Sequence, residues 1–482
     1  MTKILFFLPN SGWDNMKRWL STPHGITILS ALLKKDYSVS LLDANGLNLS
    51  EEECKIKLTE FDPDAVLISA LSFEYASQYY KAAALVKLIY PKAFTVFGGP
   101  FATTMPKEIM KNPHVDYVFQ GHAPERITNF LHAIFHQQTE VLQTMAGIGF
   151  RNNTGEVIIN PVNSYISDVK TMIKPDYSLI DLHPYIASKD NTGSHHLACN
   201  VPTATIITSY GCPNKCVFCA NPFLNGKRVA FRPVEDVLDE IDFLVQKYAV
   251  RQLVFIDDCF LLKRKRVITL FNAFIEREWN LSWKTSAVPA WLLDEDLLRL
   301  MKKSGCTQIS ISVESGVPRV LHNIIGKPLK LETVPEIVRL CKKVGIDLGA
   351  NFVMGFPGET WEEIRDSIRY AEECDFDVVH FHVATPYPKT KLYDIALEQN
   401  LLPPDFDFEN IMFHGHAQGY ITTDEFSPQE LMVLRAYEWD RINFKSKEKT
   451  EKVAKMYNMT VENLNKHRKR TRSNLGVLCK ND

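Results

Sequence analysis

Apolar positions in the first 135 residues fall in short continuous runs, separated by segments with helical spacing. "KILFFLP" is one such run, followed by an amphipathic helix over about 23–35. "VSLLD" leads to a helix near 51–60, and "AVLISAL" to the helix of "YASQYYKAAALVKLIY". "AFTVFGGP" and "VDYVFQG" complete the series. Runs apolar on both faces belong to parallel strands covered by helices on both sides. The expectation for 1–135 is therefore a doubly wound parallel-sheet α/β domain, which takes its ligands at the C-terminal strand ends. Ser69 and Ser72 in "SALS", and Gly98, Gly99 and Pro100 in "GGP", stand at such ends as small residues that let backbone approach a ligand. With no GxGxxG present, a dinucleotide is not the favoured ligand.

Residues 136–200 read as a connector, with "NNTGE", "SDVKTMIKPDY" and "SKDNTGSHH". A second strand–helix series covers 201–395: "ATIITS", "QLVFID", "SWKTSA", "TQISISVES", "LGANFVMGF" and "VVHFHVATP", with helices such as 234–248 and 332–344 between them. Such a series suggests a full or partial βα barrel with its chemistry at the C-terminal strand ends. Residues 396–482 read as a mainly helical region. Its "KHRKRTR" (466–472) is taken as a solvated helix end rather than a nucleic-acid contact.

Composition adds little to this pattern. Of 482 residues, 45% are apolar and 23% charged, and the formal net charge is −2, so nothing draws the chain toward nucleic acid or an anionic membrane. No apolar run reaches the ~18 residues of a membrane span, and the start lacks a signal-peptide pattern. A cytoplasmic setting is expected.

The cysteines change the picture. Seven of the ten (Cys54, Cys199, Cys259, Cys306, Cys341, Cys374, Cys479) are scattered singly and read as small buried hydrophobes. The other three, Cys212, Cys216 and Cys219, crowd into "SYGCPNKCVFCANP", just after the first strand of the second series. In a reducing compartment they are metal ligands rather than disulfides. Spacing alone leaves two options. One is a [4Fe–4S] cluster with one iron left open. The other is zinc with a fourth ligand such as Cys199 or a histidine.

Around these cysteines the chain resembles the radical S-adenosylmethionine (SAM) enzymes, whose signature is CxxxCxxC in the loop after the first barrel strand. Phe218 is the aromatic residue before the last cysteine. "FIDDCF" resembles the second-strand region that receives the SAM amino group, with Asp257 and Asp258. "SISVESG" carries Glu314 for the SAM ribose or methionyl end, and "NFVMGFPGET", with Met354, resembles the segment flanking adenine. In "TPYPKT", Lys389 replaces the glycine common in relatives. The resemblance implies that Cys212, Cys216 and Cys219 hold the cluster and that its open iron binds SAM. Reductive cleavage of SAM then yields a 5′-deoxyadenosyl radical that abstracts hydrogen from carbon.

The order "PHGITILSALLKKDYSVSLLDANG", "LISALSFEY", "VFGGPFAT", "VDYVFQGHAPER" resembles the cobalamin-binding domain fused ahead of many of these enzymes, and "KPDYSLIDL" resembles the linker that follows it. Its cobalamin contacts are then expected at Ser69, Ser72, Gly98, Gly99 and Pro100. The DxHxxG loop that supplies a cobalt ligand elsewhere is absent, and "GHAPE" stands where "GEGE" is usual, with His122 in place of a carboxylate. The resemblance implies methylation of a small metabolite or natural product, a second SAM as methyl source, and an electron donor such as flavodoxin or ferredoxin. Dehydration, cyclisation or rearrangement without bound cobalamin is the alternative. A zinc-binding interaction protein is a more remote one, without use for Glu314 or the "GFPGET" loop. A tRNA methylthiotransferase would need three cysteines in the first domain, where only Cys54 stands. His380 and His382 on the last barrel strand, Tyr387 following at its end, His414 and His416 in "FHGHAQGY", Trp13 and Trp19 near the end of the first strand, and Lys284 are further candidates, each with a packing or plain loop role as the alternative.

Overall fold

In the computed structural model, which describes residues 1–124, 126–163, 165, 172–188, 201–408 and 418–474, "KILFFL" forms strand β1 (Lys3–Leu8). Ile4, Leu5, Phe6 and Phe7 are each no more than 2% exposed, as a strand covered on both faces requires. β2 (Ser38–Asp43), β3 (Ala65–Ser69), β4 (Phe94–Gly98) and β5 (Tyr117–Phe119) lie parallel to it in the order β2-β1-β3-β4-β5. Helices α1 (His24–Leu33), α2 (Glu51–Leu58), α3 (Ala76–Ile89) and α4 (Ile127–Phe135) supply the layers. α1 and α4 bury Ile26, Leu33, Phe130 and Leu131 in one core with Ile4, Phe6, Leu67 and Val96 of the sheet, whereas α3 packs on β3 and β4. Strand order reverses between β1 and β3, so the loops leaving these strands part and open a crevice at their C-terminal ends.

Part of the segment expected as a connector extends this sheet instead. β6 (Ile148–Arg151) and β7 (Val157–Ile159) add antiparallel after β5. The polar "NNTGE" is their hairpin turn, in which Asn152 Oδ1 accepts from the N–H groups of Thr154 and Glu156. Strands of four and three residues are too short for their alternation to register. Farther along, Tyr185 donates its hydroxyl to both carboxylate oxygens of Asp43 at 2.8 Å, and Asp176 pairs with Lys34 at 2.7 Å. These contacts tie the 172–188 stretch to β2 and α1.

The second series forms six parallel strands: β8 (Thr203–Ile206), β9 (Gln252–Phe255), β10 (Ser282–Val288), β11 (Cys306–Glu314), β12 (Asp347–Met354) and β13 (Val378–Val383). They stand side by side in sequence order, a partial barrel with β8 and β13 at its edges. Crossover helices are α5 (Val234–Tyr248), α6 (Arg264–Glu276), α7 (Glu295–Lys303), α8 (Val334–Val344) and α9 (Trp361–Glu373). On the helix-covered face Trp283 packs against Phe255, Phe260 and Phe271 with ring centroids 5.0–6.0 Å apart. The opposite face is polar. Register puts Lys284 beside Gln308, and Asn351 beside Ser312 and His380.

After α10 (Lys391–Glu398) come α11 (Pro428–Asn443), α12 (Lys447–Met456) and α13 (Val461–Asn474). α11 runs along the edge of β13, where Asn443 substitutes for a neighbouring strand: its Oδ1 accepts from Val379 N–H and its Nδ2 donates to Val379 C=O, both at 2.8 Å. In the basic run of α13, Arg468 and Arg472 pair with Asp440, so these charges serve the packing of the helices. Among the described residues no helix is long and apolar enough to cross a membrane.

Candidate functional site

The cysteine loop leaves β8 and is pinned at once to the end of β9. Asp257 accepts from the N–H and hydroxyl of Thr208 and the hydroxyl of Ser209, and Arg266 donates to the Thr208 hydroxyl and carbonyl. Two residues after Ser209, Gly211, at φ +93°, donates its N–H to Asp258 at 2.8 Å. The two aspartates expected at the SAM amino group thus stand differently. Asp257, 4% exposed, anchors the loop from below, and Asp258 lies at its rim beside Cys212. Farther along, Val217 N–H donates to Ile325 C=O and Leu392 N–H to Val217 C=O, while Cys219 N–H turns back to Cys216 C=O. The three cysteines are partly exposed on a loop fixed at several points.

Opposite the loop, β11 ends in a bulge that leaves Glu314 at φ +71°, a left-handed conformation that side chains other than glycine adopt at a cost. Its carboxylate meets Lys327 at 2.7 Å, both side chains under 10% exposed. Lys327 was not singled out from the sequence. Its signal was a lone cation in the apolar stretch "IIGKPL". The positive charge also favours the thiolates of Cys212 and Cys216. A hydrogen bond from Cys259, which the sequence reading took for a buried hydrophobe, draws the Cys212 thiol down to about 7, whereas burial pushes Cys216 up to about 12 and Cys219 to about 11. Among the described residues no three His, Cys, Asp or Glu side chains converge on a single ion. Three thiols on one fixed loop, with a nearby cation for the resulting charge, are of the chemical type that a [4Fe–4S] cluster with one open iron takes as ligands.

Phe218, from this loop, lies 5.8 Å from Phe356 of the "GFPGET" segment, ring centroid to centroid. Glu359 shapes that segment by accepting the N–H groups of Gly355 and Phe356. Burial pushes its carboxyl up to about 7. Met354, at the end of β12, is 3% exposed. Lys389 keeps the turn in which relatives carry glycine by adopting φ +66° itself, its ammonium over the Phe223 ring.

The first domain offers a different kind of site. A cavity of ≈ 110 Å³ opens at the C-terminal strand ends, lined by residues including Phe6, Ile26, Leu67 and Val96 together with Gly25, Gly98, Gly99 and Gly121. A β-carbon added at Gly25 or Gly98 would meet no protein atom within 4 Å, so these glycines hold the space open. Gly99, at φ +104° with Ala70 C=O 2.6 Å from where its β-carbon would stand, admits no side chain. The slot fits the insertion of a flat, apolar portion of a large cofactor such as the nucleotide tail of cobalamin. Ser69, Gly98 and Gly99 line it, whereas Ser72 and Pro100 fall outside the lining. Ser72 instead donates to Glu74, whose carboxyl burial pushes up to about 8. Pro100 opens the short helix Pro100–Thr104. His122 is driven down to about 4 by burial and by the Arg126 charge.

Of the other candidates, Trp13 packs in the core and donates its indole N–H to Leu49 C=O, and Trp19 lies 6.4 Å from Tyr75. His380 Nε2 lies 2.9 Å from the Tyr457 hydroxyl, and His382 Nε2 3.3 Å from Asn351 Oδ1. Lys284 is 6% exposed on the polar face. Tyr387 accepts the backbone bond of the Thr390 turn. Cys199, His414 and His416 lie outside the described residues.

Comparison with known proteins draws the two sites together. A B12 binding domain model matches residues 20–131, and a radical SAM superfamily model matches residues 206–371. The chain is 30% identical over 406 residues to an uncharacterized methyltransferase of Pyrococcus horikoshii, covering 83% of this chain and 84% of that one. It is 29% identical to the cytidylyl-2-hydroxyethylphosphonate methyltransferase of Streptomyces wedmorensis (83% and 82% covered). With the anaerobic magnesium-protoporphyrin IX monomethyl ester cyclase of Rubrivivax gelatinosus it shares 26% (85% and 72%). Its fold matches that of the radical SAM methyltransferase TsrM from Kitasatospora setae, solved with cobalamin and a [4Fe–4S] cluster, at TM-score 0.66 and 16% identity over 95% of this chain and 99% of that one. The chain belongs to the cobalamin-dependent radical SAM family, enzymes that join a B12-binding domain to a radical SAM barrel.

Proposed function

We propose that this enzyme methylates a small metabolite or natural product. The observation that carries the reading is the pairing, in one chain, of a three-thiol loop at the mouth of a partial barrel with a glycine-lined apolar slot in a B12-type domain. When bound, cluster and SAM supply hydrogen-atom abstraction, and cobalamin supplies a methyl carrier.

The chain's own residues position these groups. Cys212, Cys216 and Cys219 would hold the cluster, and Asp258 at the loop rim and Glu314, fixed by Lys327, would orient SAM. Phe218 would flank the adenine, with Phe356 packed against it, whereas Met354 is buried in the core. Gly98 and Gly99 leave room for the corrinoid tail, with Ser69 at the slot's lip. Because the loop is pinned by Asp257, Val217 and Leu392, its thiols meet the cluster without first ordering a flexible segment. A cytoplasmic, reducing setting with flavodoxin or ferredoxin as electron donor belongs to this reading, since the cluster would have to be reduced before it could cleave SAM.

The test is the product balance from SAM under anaerobic, reducing conditions with cobalamin supplied. Methylation gives S-adenosylhomocysteine alongside 5′-deoxyadenosine. 5′-Deoxyadenosine alone, with no cobalt retained by the chain, would replace this reading with cyclisation or dehydration, the activity class of the cyclase relative.

A further inference from the structure

The polar face of the barrel ends at its open edge in a group that the reading above leaves unused. Arg435, on α11, donates from Nη1 to the carbonyl of Phe381 at 3.4 Å, and its Nε is shielded from solvent with no hydrogen-bond partner among the described residues. Desolvation draws this guanidinium down to about 10, and no carboxylate offsets that effect. On the same helix Arg441 is matched by Glu372 and Glu438, and inside the barrel Lys327 is matched by Glu314. Arg435 therefore stands out as a desolvated cation without an anion, an arrangement that is costly unless a counter-charge arrives from outside.

Its position says where that charge would sit. Phe381 lies between His380 and His382, whose side chains share the polar face with Asn351 and Ser310. Asn351 bridges His382 and the Ser310 hydroxyl, and His380 is held by Tyr457. The Nε–H of Arg435 is the donor to offer an oxyanion here, with the imidazoles and the Asn351 amide holding the strand beside it through their own bonds, and the carboxylates nearest along the strands, Asp347 and Asp377, are occupied by Lys452.

We propose that Arg435, beside His380, His382 and Asn351, binds an oxyanion carried by the substrate, so that the substrate class is a phosphate, phosphonate or carboxylate compound. The inference rests on the barrel being the substrate-holding unit, but its test reads binding and needs no turnover.

The full-length chain, purified anaerobically with iron and sulfide measured on each sample, is unfolded thermally while methylphosphonate, inorganic phosphate or acetate is titrated at fixed ionic strength. Acetamide serves as the uncharged control. At least one oxyanion should raise Tm saturably, and acetamide should not. The rise should vanish in Arg435→Met, whose own Tm without anion should equal or exceed that of the parent, because an apolar side chain replaces an unmatched charge. If Arg435→Met does not fold, Asn351→Asp, which sets a negative charge in the same place, should abolish the rise instead. Absence of any saturable rise in the parent, or an undiminished rise in the variants, overturns the proposal. Loss of cluster with the anion response intact would count against the radical SAM reading and leave the oxyanion site standing.

Discussion

The two cofactor sites of this chain hold their ligands by opposite means. The slot in the first domain carries no charged lining residue, and what shapes it is absence, the missing side chains of Gly25, Gly98, Gly99 and Gly121. The mouth of the barrel is dense with charge and strain: three thiols, Asp258, a buried Glu314–Lys327 pair, and a left-handed backbone at Glu314. A broad cofactor would be met by shape, and a small charged one by fixed counter-charges. The first strategy tolerates changes of charge and fails when volume is added; the second does the reverse.

The largest expected effect breaks the barrel side alone. Cys212→Ala, Cys216→Ala or Cys219→Ala should each abolish 5′-deoxyadenosine formation and cluster absorbance while cobalamin binding persists, and substantial 5′-deoxyadenosine from any of them would sink the cluster assignment. Lys327→Met comes next, because it strands the Glu314 charge in a desolvated site. Denaturant unfolding should show a loss of about 3–5 kcal/mol, largely recovered in the Lys327→Met, Glu314→Gln double variant. Failure of the double variant to recover would mean that the lysine acts through packing rather than charge.

On the shape side, Gly98→Val should fill the slot from a position where an added β-carbon meets no protein atom within 4 Å. Cobalamin affinity should fall at least about tenfold, ~1.4 kcal/mol, with unfolding stability changed by less than about 0.5 kcal/mol. Unchanged affinity would move the corrinoid elsewhere. The remaining effect is read against pH and concerns Glu74, whose carboxyl burial pushes up to about 8. Its folded value lies above the unfolded one, so its contribution is complete below about pH 4 and is lost as pH rises to about 8. A melting temperature that falls over this window, and falls less in Glu74→Gln, is the expected signature.

This contrast also explains what the sequence disclosed. The five parallel strands of the first sheet were legible because strands buried on both faces are apolar throughout, the six barrel strands because β-rich runs recur between helical segments, and the cysteines because reactive side chains at fixed spacing have few structural uses. Lys327 was hidden because its partner lies thirteen residues back across a bulge, and pairing of this kind leaves no periodic trace. Cys259 was hidden because a buried cysteine next to a ligand looks like any other buried cysteine. The slot could be placed only to within a strand end, since a glycine that leaves space empty and one that merely turns the chain look alike in sequence. The short hairpin of β6 and β7 escaped for want of length.

The side-chain amide of Asn443, laid against Val379, bears on what this edge of the sheet can pair with. A parallel sheet that does not close leaves a row of backbone groups ready to recruit a strand from another chain. Here a helix, which cannot itself be extended by a further strand, occupies that row. A chain shortened before α11 would keep Cys212, Cys216 and Cys219 and the six barrel strands, yet it would expose a template for self-association, and insoluble aggregates rather than inactive monomers would be its expected fate.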